Sequence, residues 1–425
     1  MKIIKIFQSS IRNDAHLLKG DAMKTIKEKR ILVLSYRFPY PLIDGSRIRI
    51  YNMAKMLASK YKVDLLAVNE GDIKADKIKE IEEIFNKVIV FSFNPIRFKI
   101  NSIRGLFSKK SLQIYYYYFN QVQKWINQHL SEYDLLFCIH IRMTKYLSNM
   151  NNIPKVIDFV DATSINYQEA QKNSKGMWRL IYPIENRRAL SYEIEMLKEY
   201  DQAFITSPFD KKHLLSHSGV SDDKLTVIPN GVKEELLLER NKLKEENWIV
   251  FLGKMNYTPN VDAVIYFANE VFSLITQCRK DIKFIIVGLN PTKKIMRLRK
   301  RKNIEVTGFV DDPYEYLEKA KIVIAPLRFS AGIQNKILEA MALGKTVVTT
   351  SKGARGIEGK NGKHFIVVDD KREMSRQILD LINNAPKRKK IGENGRELIK
   401  KKYRWNGISD RFYLKIDEVL KKNNL

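Results

Sequence analysis

"FSAGIQNKILEAMALGKTVV", Phe329 to Val348, begins as a small-residue turn, runs into a strongly helical stretch and leaves it as a strand. A turn holding Gly332, Gln334, Asn335 and Lys336 therefore opens a helix that carries one acid, Glu339, among apolar residues. The N–H groups at a helix N-terminus have no intrahelical acceptor, and the helix dipole adds positive potential there. With Lys336 close by, they form an anion site suited to a diphosphate. One turn further in, Glu339 is placed to accept hydrogen bonds from a ribose. The plainer alternative is a solvent-facing helix start with an ordinary surface glutamate.

Outward from this stretch, strand-like runs alternate with helical ones along the chain, which is the pattern of a parallel sheet covered by helices. RILVLSYRFP, KVDLLAVNE, KVIVFSF, YDLLFCIHI, PKVIDFVDA and YDQAFITSP are the strands of the first half. SRIRIYNMAKMLASKY follows the first of them, with Ile48, Met53, Met56 and Leu57 at helical spacing. LTVIPNGVKEELL, Leu225 to Leu237, ends the series with a Pro-Asn-Gly turn and a charged run, as an interdomain hinge would. WIVFLG, KFIIVG, IEVTGF, IVIAPL, KTVVTT and FIVVDD then repeat the plan. The expected fold is α/β, with two doubly wound Rossmann-like domains facing across a cleft. The first spans 30–235 and the second 236–407; 408–425 is a helix expected to pack back on the first domain. Residues 1–29 are expected to be a disordered basic extension, and Met23 competes with Met1 as the start.

In such folds ligands bind where loops leave the carboxyl ends of the strands. PYPLIDGSRIR joins the first strand to its helix, with Gly45 at the turn where backbone can approach a ligand and Arg47 and Arg49 just inside the helix. RFSAGIQNK does the same for the second domain. The tyrosines at Tyr115 to Tyr118 are expected to pack one helix.

A chain of 425 residues with 44% hydrophobic and 10% aromatic residues is globular and long enough for two cores. No apolar run reaches the roughly 20 residues of a membrane span, and no signal peptide is visible, so the chain is expected in the cytoplasm. Cys138 and Cys278 are expected to be buried thiols, without metal or disulfide roles. Lys and Arg outnumber Asp and Glu by 76 to 48, a formal charge of +28 that attracts polyanions without choosing among them. The densest cluster, TKKIMRLRKRKN, contains no aromatic, which argues against nucleic acid as a partner.

PYPLIDGSRIRIYNMAKML, VIDFVDATS, VIPNGV, FLGKMNYTPNVDAVIYF, VTGFVDDPYEYLEKAKIVIAPL and GIQNKILEAMALGKTVV, in this order, resemble a GT-B glycosyltransferase of family 4, with its capsule and exopolysaccharide sugar transferases. The resemblance covers nearly the whole chain from about Arg30. It implies transfer of a sugar from a nucleotide-sugar donor, most readily a UDP-sugar, held mainly by the second domain, with the acceptor on the first. No cofactor is implied, and neither a metal nor a protein nucleophile is required. Glu339 matches the second glutamate of the family's paired motif, the one associated with the donor ribose. Gly332, Ile333, Gln334, Asn335 and Lys336 match the loop that meets the diphosphate, and Lys254 stands where relatives commonly carry a phosphate-facing Arg. Gly45, Asn256, Phe309 and Val310 complete the implied donor set. Arg47, Arg49 and Ser164 are expected on the acceptor side. His140 and Asp161, which end strands of the first domain, are expected to orient the acceptor hydroxyl, so the catalytic set is Asp161, His140 and Lys254.

Two departures stand out: Ala331, eight residues before Glu339, replaces the family's first glutamate, and Pro259 falls where many members place a second phosphate-binding Lys. Lys336 or Arg328 is then expected to supply that charge. Retention of anomeric configuration is implied. The competing classes are a nucleotide-sugar epimerase on the same fold and a basic nucleic-acid-binding protein. A saccharide or lipid-linked acceptor and the strong positive charge suit work at the inner face of a membrane. Asn94 to Lys110, where basic residues alternate with Ile, Phe and Leu, is the expected contact, the alternative being a loop and helix that simply pack over their own core.

Overall fold

The run Ile31–Leu34 loses all contact with solvent. Continuous apolar strands of this kind belong in a parallel sheet covered on both faces. In the computed structural model this run lies in β1 (Arg30–Ser35), which pairs in parallel with β2 (Lys62–Glu70) on one side and β4 (Leu135–Ile139) on the other. With β3 (Lys87–Phe93), β5 (Lys155–Asp158), β6 (Gln202–Ile205) and β7 (Leu225–Val227), they form a seven-stranded sheet of order β3-β2-β1-β4-β5-β6-β7. The structure describes residues 29–422 apart from 107, 173, 175, 239–242 and 330–331. The expected N-terminal extension, with Met1 and Met23, lies outside the described residues but for Lys29.

The second domain repeats the plan with β8 (Glu246–Leu252), β9 (Lys283–Val287), β10 (Ile304–Gly308), β11 (Ala320–Ala325), β12 (Val347–Thr349) and β13 (Ile366–Val367), in the order β10-β9-β8-β11-β12-β13. In each sheet the chain starts near the middle, moves to one edge and returns to build the other. The order therefore reverses beside β1 and beside β8, and loops diverge there to leave a crevice at the carboxyl ends.

The segment expected as hinge is narrower than Leu225–Leu237, because Leu225–Val227 is an edge strand of the first sheet. The crossing proper follows it, where the Val232 N–H donates to the Tyr403 carbonyl at 2.8 Å. Next to it, the helix Trp405–Lys422 returns to the first domain, starting three residues earlier than the sequence suggested. Phe412 packs edge-on against Phe137 at 5.9 Å, and Tyr413 donates to the Met56 carbonyl at 3.0 Å. Cys138 is buried in β4, but Cys278 is exposed, contrary to expectation. The helix Phe272–Cys278 turns Phe272 and Ile275 into the core and leaves its last residue outside.

Candidate active site

Three glycines gather at the rim of the second sheet. β8 and β9 run out into Gly253 and Gly288, and β10 ends on Gly308, whose carbonyl accepts the Gly288 N–H at 3.3 Å. Gly288 has φ 147°, and a Cβ on it would stand 1.8 Å from the Gly253 carbonyl oxygen. Only glycine allows that approach, so backbone rather than side chain lines the floor of the rim.

Over this floor lies the start of the helix Asn335–Ala342. Gly332, three residues before it, has φ 62°, a left-handed conformation that favours glycine. The Lys336 ammonium donates to Asn260 Oδ1, lies 4.5 Å from the Phe251 ring centroid, and comes within 3.1 Å of where a Gly253 Cβ would be. Burial pulls its pKa down to about 7 against the opposing field of Glu339. Burial likewise pushes Glu339 up to about 7, while Lys233, which follows the interdomain crossing, and Lys336 oppose it. Lys254 is half-buried, its carbonyl accepting from Asn260 Nδ2 at 2.9 Å, and its ammonium has no carboxylate partner among the described residues. Arg328 is ion-paired with Asp262 and its guanidinium lies 5.0 Å from the Tyr266 ring, so it is held on the outer surface while Lys336 reaches the rim. Pro259 is buried in the first turn of the helix Thr258–Tyr266. Ile333 is buried, Gln334 and Val310 are half-buried, and Asn256 and Phe309 are exposed. Ala331 lies outside the described residues.

Across the cleft, the first domain meets this rim closely. A Cβ on Gly332 would be 3.4 Å from the Asp161 carboxylate, and one on Gly45 would be 3.1 Å from Asn335 Nδ2. Asn335 Oδ1 in turn accepts from Asn230 Nδ2 at 2.9 Å. Asp161 is half-buried and accepts from Asn166 at 2.8 Å; burial raises its pKa, partly offset by Arg142 and Asn166. His140 ends β4 at φ 72°, and Val160, just before Asp161, has φ 67°. Positive φ at a β-branched or bulky residue costs on the order of 1–3 kcal/mol and persists only where surroundings enforce it. Here the His140 N–H donates to the Asp158 carbonyl at 2.7 Å, and the Val160 N–H donates to the Asp158 carboxylate at 3.2 Å.

That carboxylate explains where Arg49 went. Arg49 is fully buried, bidentate to Asp158 at 2.6 and 2.7 Å, and its remaining nitrogen donates to the Ile228 carbonyl and Asn230 Oδ1. No face is left for an acceptor. The expected acceptor-side role is corrected to a positioning one, in which Arg49 anchors the turn that carries Asp161. Ser164 is corrected likewise: it is buried, with its N–H on Glu193 at 3.3 Å and its hydroxyl 3.1 Å from His213 Nε2. Arg47 folds back on the helix cap Asp44 at 3.2 Å.

The side chains that do surround His140 were not singled out from sequence. His140 packs on Tyr36 at 5.1 Å, and Arg142 lies over the Tyr36 and Tyr117 rings at 4.7 and 5.4 Å while donating to Gln113 at 2.8 Å. Burial, with Arg142 and Arg37 adding to it, lowers the His140 pKa well below its usual value, so the ring is neutral at physiological pH. Its Nδ1 faces the Arg142 N–H at 3.4 Å, which leaves the ring hydrogen on Nε2. Tyr117 thus lines this cluster, and Tyr118 stacks on Tyr146; the tyrosine run serves more than one helix. The signal available was His-x-Arg at the end of a strand.

Two facing parallel sheets with an anion-ready rim on the second domain define a class, and comparison with known proteins gives the same class. The family model described as Glycosyltransferase Family 4 matches residues 43–236, and that described as Glycosyl transferases group 1 matches 246–384. Between them they cover both domains, and the chain belongs to the GT-B glycosyltransferases. It is 22% identical over 394 residues to an uncharacterized 44.6 kDa protein in the cps region of Klebsiella pneumoniae, covering 88% of this chain and 96% of that one. It is 23% identical over 214 residues to the capsular polysaccharide biosynthesis glycosyltransferase CapM of Staphylococcus aureus, covering 45% of this chain and 55% of CapM. Among solved structures, Anabaena Alr3699/HepE in complex with UDP and glucose superimposes with a TM-score of 0.62 at 17% identity, over 91% of this chain and 99% of that one.

Proposed function

We propose that the protein transfers a sugar from a nucleoside diphosphate sugar, a UDP-sugar, to a saccharide or lipid-linked acceptor in surface polysaccharide assembly, at the inner face of a membrane and with retention of configuration. The names of the capsule-region relatives and of the UDP-bound neighbour support the substrate classes. The single observation that carries the reading is the meeting of Gly332 and Asp161 across the cleft, with Lys336 reaching the glycine floor at Gly253 beside it.

The diphosphate lies against the Gly332–Lys336 backbone, where N–H groups at the helix start and two lysines face it. Glu339, one turn along, accepts from the ribose hydroxyls. As the acceptor oxygen bonds to the anomeric carbon, the bond to the diphosphate breaks and the acceptor's proton passes to the departing phosphate oxygen. Negative charge grows on the leaving group during this step, so cations fixed beforehand lower the barrier more than they stabilise the ground state. A neutral His140 and Asp161 hold the acceptor hydroxyl on the opposite wall.

Calorimetric titration of UDP into the wild type and into Lys254→Ala and Glu339→Ala, with a panel of nucleotide sugars tested for hydrolysis, examines this. Glu339→Ala is expected to weaken UDP about tenfold, near 1.4 kcal/mol, and Lys254→Ala mainly to slow turnover. Wild-type affinity in both variants would remove the site.

A further inference from the structure

Eight of the sixteen large apolar side chains left exposed among the described residues fall in two short segments. Ile96, Ile100 and Ile103 lie at i, i+4 and i+7 on the helix Pro95–Ile103, so they form one outward stripe, continued by Leu106. Met177, Trp178, Leu180 and Ile184 occupy the start of the helix Trp178–Glu199, with Leu180 73% exposed. The segments adjoin. Arg188 donates to the Leu106 carbonyl at 3.2 Å, and Glu185 accepts from the Ser111 hydroxyl and the Leu112 N–H at 2.7 and 2.8 Å. A surface depression lined by Leu106, Ser108, Lys109, Arg187, Arg188 and Ser191 lies between them.

Charge around the apolar residues is mostly positive, the nearest exposed acid being Glu195, which pairs with Lys110 at 3.5 Å. No acid occurs between Asn94 and Lys110 or between Ala170 and Ile184, while Lys99, Arg104, Lys109, Arg179 and Arg187 are exposed around the apolar residues. The next acid, Glu185, is buried and bonded. Clustered exposed apolar groups mark a contact surface, and an apolar patch inside a cationic rim with Trp at its edge matches the layering of an anionic bilayer surface.

The patch also connects to the acceptor wall. Trp178 stacks on Tyr182 at 5.6 Å, Tyr182 lies 6.0 Å from Tyr167, and the Tyr167 hydroxyl accepts from Gln113 at 3.3 Å. Gln113 holds Arg142, which flanks His140. We infer that this composite face of the two helices docks on an anionic lipid bilayer, and that the aromatic row Tyr167–Tyr182–Trp178 borders the path between the bilayer and the acceptor site. The inference rests on the lipid-linked acceptor proposed above, and it adds the second helix and the aromatic row to the segment that sequence had suggested.

Flotation of the full chain with phosphatidylcholine vesicles containing one third phosphatidylglycerol tests it. One variant carries Ile100→Ser, Ile103→Ser and Leu180→Ser; a second carries Lys99→Gln, Arg104→Gln, Lys109→Gln and Arg179→Gln. A control carries Lys293→Gln, Lys294→Gln, Arg297→Gln and Arg299→Gln on the second domain. Both docking variants should lose at least tenfold in vesicle partitioning with unchanged melting temperature and UDP affinity. The control should keep most of it, and wild-type binding should fall in high salt and on pure phosphatidylcholine. Partitioning of either docking variant at the wild-type level, or absence of wild-type binding, overturns the surface. Self-association without vesicles that the serine substitutions abolish would overturn it in favour of a second copy of the chain. Vesicle binding by this face in a protein that fails to bind UDP would leave the surface standing and defeat the transferase reading of the cleft instead.

Discussion

The two rims of the cleft place their charges in opposite ways. On the first domain the nearby cations are committed internally: Arg49 to Asp158, Arg47 to Asp44, and Arg142 between tyrosine rings. On the second, Lys254 has no carboxylate partner among the described residues and Lys336 is held by an amide and an aromatic face. A cation already neutralised shapes backbone; an amine held by neutral groups is left without a counter-charge of its own, so a ligand's anion can supply it. On the proposed reading the first rim is a positioning wall and the second the anion receptor, and each can be challenged separately.

The largest expected effect is on the positioning wall. Arg49→Met leaves the Asp158 carboxylate buried and unpaired, a change that typically costs about 3–5 kcal/mol. Urea denaturation should show a large drop in midpoint; near-normal stability with lost acceptor turnover would restore Arg49 to the acceptor side and break the comparison. Next is the receptor. Lys254→Ala should reduce kcat roughly a hundredfold, about 2.7 kcal/mol, with a small change in melting temperature. A large loss of stability with normal kcat would mean that Lys254 is structural after all.

A smaller effect sharpens the role of Lys336. Its pKa, lowered to about 7 by burial, leaves the amine mostly neutral at pH values above that, and the proposed diphosphate is expected to restore the proton on binding. UDP binding near pH 8.5 should therefore take up close to one proton, and near pH 5.5 almost none from this group, with apparent affinity falling as pH rises past about 7. Titrations in buffers of different ionisation enthalpy measure this directly, and Lys336→Gln should abolish the uptake. The smallest effect is expected for Gly332→Ala. Its Cβ would meet only ordinary contact with Asp161, so the cost is that of the left-handed backbone, about 1–2 kcal/mol, read as a modest fall in melting temperature.

The strands and their order of appearance could be read from sequence because doubly wound sheets write themselves as apolar runs between amphipathic helices. VKEELL and SRIRI were harder. A charged residue beside a cleft loop can point either way, and Arg49 turned inward because Asp158, 109 positions later, waits at the end of β5. Ser164 turned inward for a similar partner, Glu193. Gly288 drew no notice because its need for glycine is set by the Gly253 carbonyl of a neighbouring strand, which no local pattern displays. Arg142 needed Tyr36, just after β1, and Tyr117, at the end of the helix Leu112–Tyr116, to acquire meaning.

The interdomain crossing has a mechanical corollary. The chain passes between the domains twice, once before Val232 and once after Tyr403, and the two passages are laced together: Val232 bridges to Arg404, Arg404 pairs with Glu234, and a Cβ on Gly231 would collide with the Trp405 indole at 2.6 Å. A single tether would permit swivel and tilt in any direction. Two tethers fastened side by side act as a door hinge, with one axis of easy rotation along the line that joins them. Any opening of the cleft would then turn about that one axis, and Gly332 and Asp161 would part along a single arc.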